Sequence, residues 1–325
     1  MSNALPTAVP VIDLGVLTTG ETSAIPTVVE QVKFACENTG FFQVLGHGVD
    51  EGIIKQMLVA STAFFDLPAQ TKDHIGQAGP MAGGLMYCPM MKETLSSSLG
   101  EAAPGDLKES LDFGPGFYGA HWPAQPAALH SVWLDYYAAL SVLADRLRRL
   151  FALAIGVPED YFEPLFDNHL SSLRVLDYPV REAPAAPGQL RAGAHSDYGF
   201  LTILRTSSGL SGLEIRDVNG VWTAVDSIPG GFVINLGDAM MRWTNDQWLS
   251  SVHRVTNPAS GAQPSRRQSI AFFHNPNADA RIDVFEHFCS EHNPKRYTSI
   301  TYDDYALGKY RQTHGEDAPN PFAPG

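Results

Sequence analysis

Two periodicities divide the chain. Up to about residue 155 apolar side chains recur at helical spacing, and from Ser171 onward they alternate at every second residue. The segment 26–37 places Val29, Val32, Ala35 and Cys36 on one helical face and is stopped by Asn38-Thr39-Gly40. EGIIKQMLVASTAFFDLP predicts a second helix that ends before Pro68. VWLDYYAALSVLADRLRRLFALAIG predicts a long amphipathic helix within 127–155. VPVIDLG (9–15) and FFQVLGHGV (41–49) read as short strands set among the helices. Beyond Ser171, SLRVLDY, FLTILRT, GLEIRD, VWTAV, GFVINLG, VHRVT and RQSIAFF are short strands punctuated by Gly, Pro, Asn and Asp. Helices first, then strands about ten residues apart, predict an α+β, mainly β architecture. The expected form is an antiparallel barrel or jelly roll on an N-terminal helical support.

Within one structural unit this predicts an N-terminal region over 1–125, the long helix over 127–155, a jelly-roll core over 171–285 and a C-terminal segment and tail over 286–325. Residues 77–119 are rich in Gly and Met and fit neither period. They are expected to form a long excursion without regular structure, the kind of segment that covers a site.

Composition narrows the possible functions. The 325 residues are 44% hydrophobic, enough for a sizeable core. A formal charge of -13, spread along the chain, argues against nucleic acid or an anionic membrane as partner. No apolar run is long enough to span a bilayer, and the N-terminus lacks the basic and apolar regions of a signal peptide. Cys36, Cys88 and Cys289 are far apart with no CxxC, as expected of thiols in a reducing cytosol. The expectation is a cytoplasmic monomer that acts on a small molecule.

The candidate chemistry begins at AGAHSDYGF. If this stretch is extended, His195 and Asp197 point to one face and can reach a common point. With 11 histidines in the chain, a single His-x-Asp is close to chance. His253, in SSVHRVTNP, changes the picture: the four or five strands between bring the chain back alongside its start. Two histidines and one carboxylate make a facial triad, the set that leaves positions open on non-haem Fe(II). By itself, His253 is equally readable as a hydrogen-bonded core histidine. In SRRQSIAFF, strand parity puts Arg267, Ser269, Ala271 and Phe273 on one face. A guanidinium turned into a barrel needs an anion, and a carboxylate accepting from the Arg and the Ser hydroxyl would satisfy it. Arg174, Leu176 and Tyr178 share a face of the preceding strand, so Tyr178 could join the pair. A surface position for Arg267 is the alternative.

Taken together, these residues resemble the iron- and 2-oxoglutarate-dependent dioxygenases of the isopenicillin N synthase-like family, over about residues 8–310. VPVIDLG, ACENTGFFQVLGHGV and DLKESLDFG resemble its N-terminal region. AGAHSDYGFLTIL, NLGDAMMRWTNDQWLSSVHRV and RRQSIAFFHNPN resemble its catalytic barrel. The resemblance implies a double-stranded β-helix in which His195, Asp197 and His253 bind Fe(II). It implies that Arg267, Ser269 and Tyr178 hold the far carboxylate of 2-oxoglutarate, which with O2 is converted to succinate and CO2. The implied outcome is hydroxylation, desaturation or cyclisation at an unactivated C–H of an amino acid, organic acid or natural-product intermediate of specialised metabolism.

Three departures stand out. His253 and Arg267 are separated by 13 residues, a longer spacing than in many relatives. Leu176 stands where many relatives carry Asn. Arg174 adds a charge on the Tyr178 face. As substrate contacts we expect Arg174, Met86, Tyr87, Phe200 and Arg191, with Met81, Met90, Met91 and Lys92 also in the covering segment; the basic residues lean toward an anionic group. Two other readings remain. One is an oxidase of the same fold that needs no oxoglutarate and uses Arg267 and Ser269 for the substrate's own carboxylate. The other is a barrel that binds metal or ligand without turnover.

Overall fold

The computed structural model describes residues 9–19, 22–73, 75, 85–114, 122–181, 183–207, 212–258 and 265–314. The N-terminal part runs β1 (Val11–Asp13), α1 (Gly15–Thr19), α2 (Ile25–Asn38), β2 (Phe41–Leu45), α3 (Glu51–Phe65) and α4 (Ala69–Asp73). It continues with β3 (Leu85–Cys88), β4 (Glu109–Phe113) and α5 (Leu129–Ile155). The strand-rich part is β5 (Ser172–Tyr178), β6 (Ala192–His195), β7 (Leu201–Thr206), β8 (Leu213–Arg216), β9 (Trp222–Ala224) and β10 (Phe232–Leu236). After α6 (Asp238–Trp243) come β11 (His253–Val255), β12 (Arg267–His274), β13 (Arg281–Ile282), β14 (Ile300–Thr301) and α7 (Tyr302–His314).

Local signals account for the helix ends. Asp50 caps α3, its carboxylate accepting from the N–H groups of Gly52 and Ile53 at 2.6 and 3.2 Å. The helix α5 stops at Gly156, whose φ of 92° is left-handed.

Two sheets face each other. The larger has eight strands in the order β1-β2-β10-β7-β12-β5-β4-β3; the smaller has four, β6-β11-β8-β9. This is the double-stranded β-helix, with helices on the outside. Alternation along each strand sorts the core into two parts. Outward residues such as Val175, Ile270 and Phe272 pack with α2, α3 and α5, and Tyr137 of α5 meets Phe272 edge-on at 5.0 Å. Inward residues Leu176, Tyr178, Leu213, Ile215, Val233 and Ala271 form a separate cluster between the sheets. Among the described residues no helix is long and apolar enough to cross a membrane, and all three cysteines are free.

One expectation is corrected. The segment 77–119 is not without regular structure: β3 and β4 pair with each other, and β4 pairs with β5, extending the large sheet. Their alternation is interrupted by charged residues that are buried by partners, so the period is masked. Residues 77–84 and 115–119, including Met81, lie outside the described residues. The C-terminal segment carries α7. Residues 95–99 form a short 3-10 helix that packs on β6 and on α7.

Candidate active site

The two histidines are brought together by strand pairing. His253 opens β11 and stands directly opposite His195, the last residue of β6. Their ring centroids lie 4.3 Å apart. Asp197 is not on the strand: it follows β6 in the loop toward β7. Convergence of His195 and Asp197 is therefore made by the turn after β6, and not by the strand parity used above. Asp238 N–H donates to Asp197 O at 2.8 Å and Gly237 N–H to Phe200 O at 3.2 Å, which pins that turn. The Asp197 Oδ1 atom lies 3.9 Å from His195 Nε2 and 3.8 Å from His253 Nε2. One ligand atom from each residue falls within 4.8 Å of the others, close enough to share one ion.

Surrounding groups fix which atoms face inward. His195 Nδ1 lies 2.8 Å from Gly193 O and His253 Nδ1 lies 3.1 Å from Ser251 O. A carbonyl only accepts, so each Nδ1 carries the proton and each Nε2 lone pair points to the centre. Asp197 Oδ2 accepts from Thr202 Oγ1 at 2.5 Å and from Asn235 Nδ2 at 2.7 Å. Oδ1 is left to face the imidazoles. Burial alone would raise the Asp197 carboxyl; His253, His195, Thr202 and Asn235 outweigh it and hold the group below its ordinary range. Burial, then the proximity of His253, pushes His195 down to about 4. Two neutral imidazoles and one carboxylate are the donor set that divalent iron takes. Phe41 meets the His253 ring edge-on at 5.3 Å and walls one side.

Beside this centre lies an anion-seeking pocket. Arg267 and Tyr178 are register partners on β12 and β5, as are Ser269 and Leu176. Arg267 is buried, and its Cζ lies 4.9 Å from the Tyr178 ring centroid. Its Nη1 reaches Ser269 Oγ at 3.5 Å, whereas Nε and Nη2 are buried without a hydrogen-bond partner. Two unsatisfied donor nitrogens on one buried guanidinium fit a carboxylate arriving as a fork.

The remaining expected residues divide. Arg174 faces inward, but its charge is already matched: it pairs with Asp112 through Nε and with Glu93 through Nη1 at 3.2 Å. Lys108 pairs with the same Glu93 and lies 3.6 Å from Asp106. Burial would raise the Glu93 carboxyl, yet Arg174 and Lys108 hold it far below its ordinary range. Met86 is opposite Asp112 in register and shares its inward face. Tyr87 therefore points outward, where its hydroxyl donates to Glu109 at 2.5 Å beside Lys72; it is not a substrate contact. Phe200 is fully buried in the outer core against Phe151, Phe162 and Phe166, and is also withdrawn from the site. Lys92 and Met91 are exposed, and Met90 is half-buried. Arg191 is buried beside Tyr178.

Thr202, Asn235, Asp106, Lys108 and Glu93 were not singled out from the sequence. For Asn235 a signal existed: an amide inside FVINL, otherwise wholly apolar, has to be hydrogen-bonded.

Comparison with known proteins agrees with this geometry. Residues 9–135 match the family described as non-haem dioxygenase in morphine synthesis N-terminal, and residues 167–276 match the 2OG-Fe(II) oxygenase superfamily. The 2-oxoglutarate-Fe(II) type oxidoreductase hxnY of Emericella nidulans is 31% identical over 95% of this chain and 91% of its own length. Homoarginine-6-hydroxylase 2-ODD-233 of Oryza sativa subsp. japonica is 31% identical over 87% of this chain and 88% of its own. Among solved structures, Neurospora crassa T7H in complex with alpha-KG and thymine superposes with a TM-score of 0.82 at 27% identity, covering 94% of this chain and 96% of that one. JOX2 in complex with 2OG, Fe and JA gives 0.78 at 27% identity, over 99% and 90%. With its barrel and both halves of its length matched, the chain belongs to the 2OG-Fe(II) oxygenase superfamily and is an Fe(II)- and 2-oxoglutarate-dependent oxidoreductase of small molecules.

Proposed function

We propose that His195, Asp197 and His253 hold the iron of this oxygenase, and that Arg267, Ser269 and Tyr178 hold the C5 carboxylate of 2-oxoglutarate. The observation that carries the reading is the Arg267 guanidinium, buried with two donors unsatisfied in the same barrel as the three-donor centre. When bound, iron and oxoglutarate supply the oxidising power for an unactivated C–H bond, with O2 consumed and succinate and CO2 released. The chain positions and shields them. Thr202 and Asn235 turn Asp197 Oδ1 toward the centre, and the Gly193 and Ser251 carbonyls keep both Nε2 lone pairs available. Arg267 anchors one end of the cosubstrate, so its other end lies in a defined direction from the triad. Leu176, Val233 and Ala271 keep the space between apolar.

The substrate is met by the inward face of β3, β4 and β5, where Met86, Cys88 and Ser110 stand near Leu176. Arg174 and Lys108 are neutralised by Asp112 and Glu93, so among the described residues no free cation on this wall awaits an anionic group. The recognised molecule is a small one without net charge, held by apolar contact and neutral hydrogen bonds. The oxidase reading has against it relatives and neighbours that are named for 2-oxoglutarate. Oxygen uptake with Fe(II) over a panel of neutral and anionic small molecules, with and without oxoglutarate, tests these points. Undiminished turnover without oxoglutarate overturns the assignment of Arg267, and anionic substrates turning over best overturns the substrate class.

A further inference from the structure

The pocket around Tyr178 holds more positive charge than the Arg267 role explains. Arg191, immediately before β6, is buried at 8% exposure, and its Cζ lies 5.8 Å from the Tyr178 ring centroid. Arg267 approaches the same ring at 4.9 Å. Among the described residues neither guanidinium is paired with a carboxylate. Asp177, the acid nearest in sequence to Tyr178, points to the opposite face and serves Arg266 and Gln268. One Arg191 nitrogen donates to Ser265 O at 2.7 Å, tying β6 to the start of β12. That single bond uses one of five N–H donors. Two like charges buried against one ring with no counter-charge disfavour each other and lose hydration. A fold keeps such an arrangement when a ligand supplies the missing anion.

We propose that Arg191 is a second guanidinium of the cosubstrate pocket, gripping the C5 carboxylate of 2-oxoglutarate together with Arg267. The inference rests on the assignment of Arg267, Ser269 and Tyr178 above. It moves Arg191 from the substrate to the cosubstrate end of the barrel. It also compensates for Leu176, which offers no polar contact where an amide could have helped hold the cosubstrate.

The test is calorimetric binding to anaerobic Mn(II)-loaded enzyme, with no turnover involved. Wild type, Arg191→Met and Arg267→Met are each titrated with 2-oxoglutarate and with 2-oxobutyrate, which lacks the distal carboxylate. The expected result is at least a tenfold rise in the oxoglutarate Kd of Arg191→Met, with the 2-oxobutyrate Kd within threefold of wild type. A purely structural tie to Ser265 would weaken both ligands alike or neither, and either pattern overturns the proposal. If Arg267→Met weakens oxoglutarate and Arg191→Met does not, the inference alone fails. If neither variant does, the assignment of the pocket fails with it. Should Arg191→Met not fold, Arg191→Lys decides: it keeps one charge without the fork, and a Kd for oxoglutarate unchanged from wild type overturns the proposal.

Discussion

Removing the hydroxyl of Thr202 should loosen the metal without touching a ligand. Thr202→Val is nearly isosteric and deletes one of two hydrogen bonds to Asp197 Oδ2; Asn235→Leu deletes the other. Both donors and the acceptor are buried. A hydrogen bond to an ionised acceptor contributes about 1.5–3 kcal/mol. The metal-bound state needs Asp197 Oδ1 turned toward the imidazoles, whereas the metal-free carboxylate is free to rotate and find other donors. Most of the lost stabilisation therefore falls on metal binding. At about 1.4 kcal/mol per decade, either substitution weakens Fe(II) by roughly 10- to 100-fold. The cost usually found on deleting a ligand's outer partner lies in the same interval. The assay is anaerobic competition against a chelator, with far-UV circular dichroism to establish folding. Thr202→Ser keeps the hydroxyl and should recover most of the affinity. Wild-type metal affinity in folded Thr202→Val and folded Asn235→Leu would refute the argument that these groups orient Asp197.

The other predictions concern groups away from the metal. Arg174→Gln strands Asp112 without a cation and leaves Glu93 to Lys108 alone, and an uncompensated charge removed from water costs up to about 3–5 kcal/mol. Urea unfolding should show that loss, and Arg174→Gln with Asp112→Asn should regain part of it; wild-type stability for the single variant would return Arg174 to the substrate. His274 is buried, stacked on Phe166 at 4.5 Å, and held well below its ordinary range by burial and then by His169 and Arg148. Below about pH 6.5 the unfolded chain takes up this proton and the native chain does not, so stability falls as pH falls, by about 1.4 kcal/mol per unit. His274→Gln should flatten the urea-derived stability between pH 6.5 and 5.5 by about 1 kcal/mol, the unfolded group being half protonated at the upper limit, and an unchanged slope would contradict the burial argument.

Strand parity was enough to put Arg267, Ser269, Leu176 and Tyr178 on one inward face, because β5 and β12 are long and regular. It failed at His195 and Asp197, where the chain leaves β6 and a turn held by Asp238 and Gly237 takes over. Side chains beyond a strand end have no period to read. Phe200 was misassigned for the same reason: it follows that turn and faces the outer core. The segment 77–119 was illegible for a different one. Glu93, Asp106, Lys108 and Asp112 look like surface residues in one dimension. Asp106 and Lys108 are buried and Glu93 and Asp112 half-buried because partners as distant in sequence as Arg174 neutralise them, and such pairing leaves no local pattern.

That ion network makes the N-terminal region part of the site and more than a support for the barrel. Its link is the Gly193 peptide. The N–H of Gly193 donates to Asp106 Oδ1 at 3.0 Å, while its carbonyl accepts a hydrogen bond from Nδ1–H of His195. Asp106 Oδ2 accepts from Leu95 N–H at 3.2 Å, so the 95–99 turn is held against β6 by the same carboxylate. A Cβ at 193 would lie 2.9 Å from Ser96 N, so any side chain there would push that turn away. The glycine in AGAHSDYG is thus required by close approach of the N-terminal segment. Burial raises the Asp106 carboxyl, and Lys108 opposes this; Lys108 in turn shares Glu93 with Arg174 on the inward face of β5. The orientation of His195, the proposed iron ligand, and the charge balance of the β3–β5 wall are consequently set by the same run of charged groups.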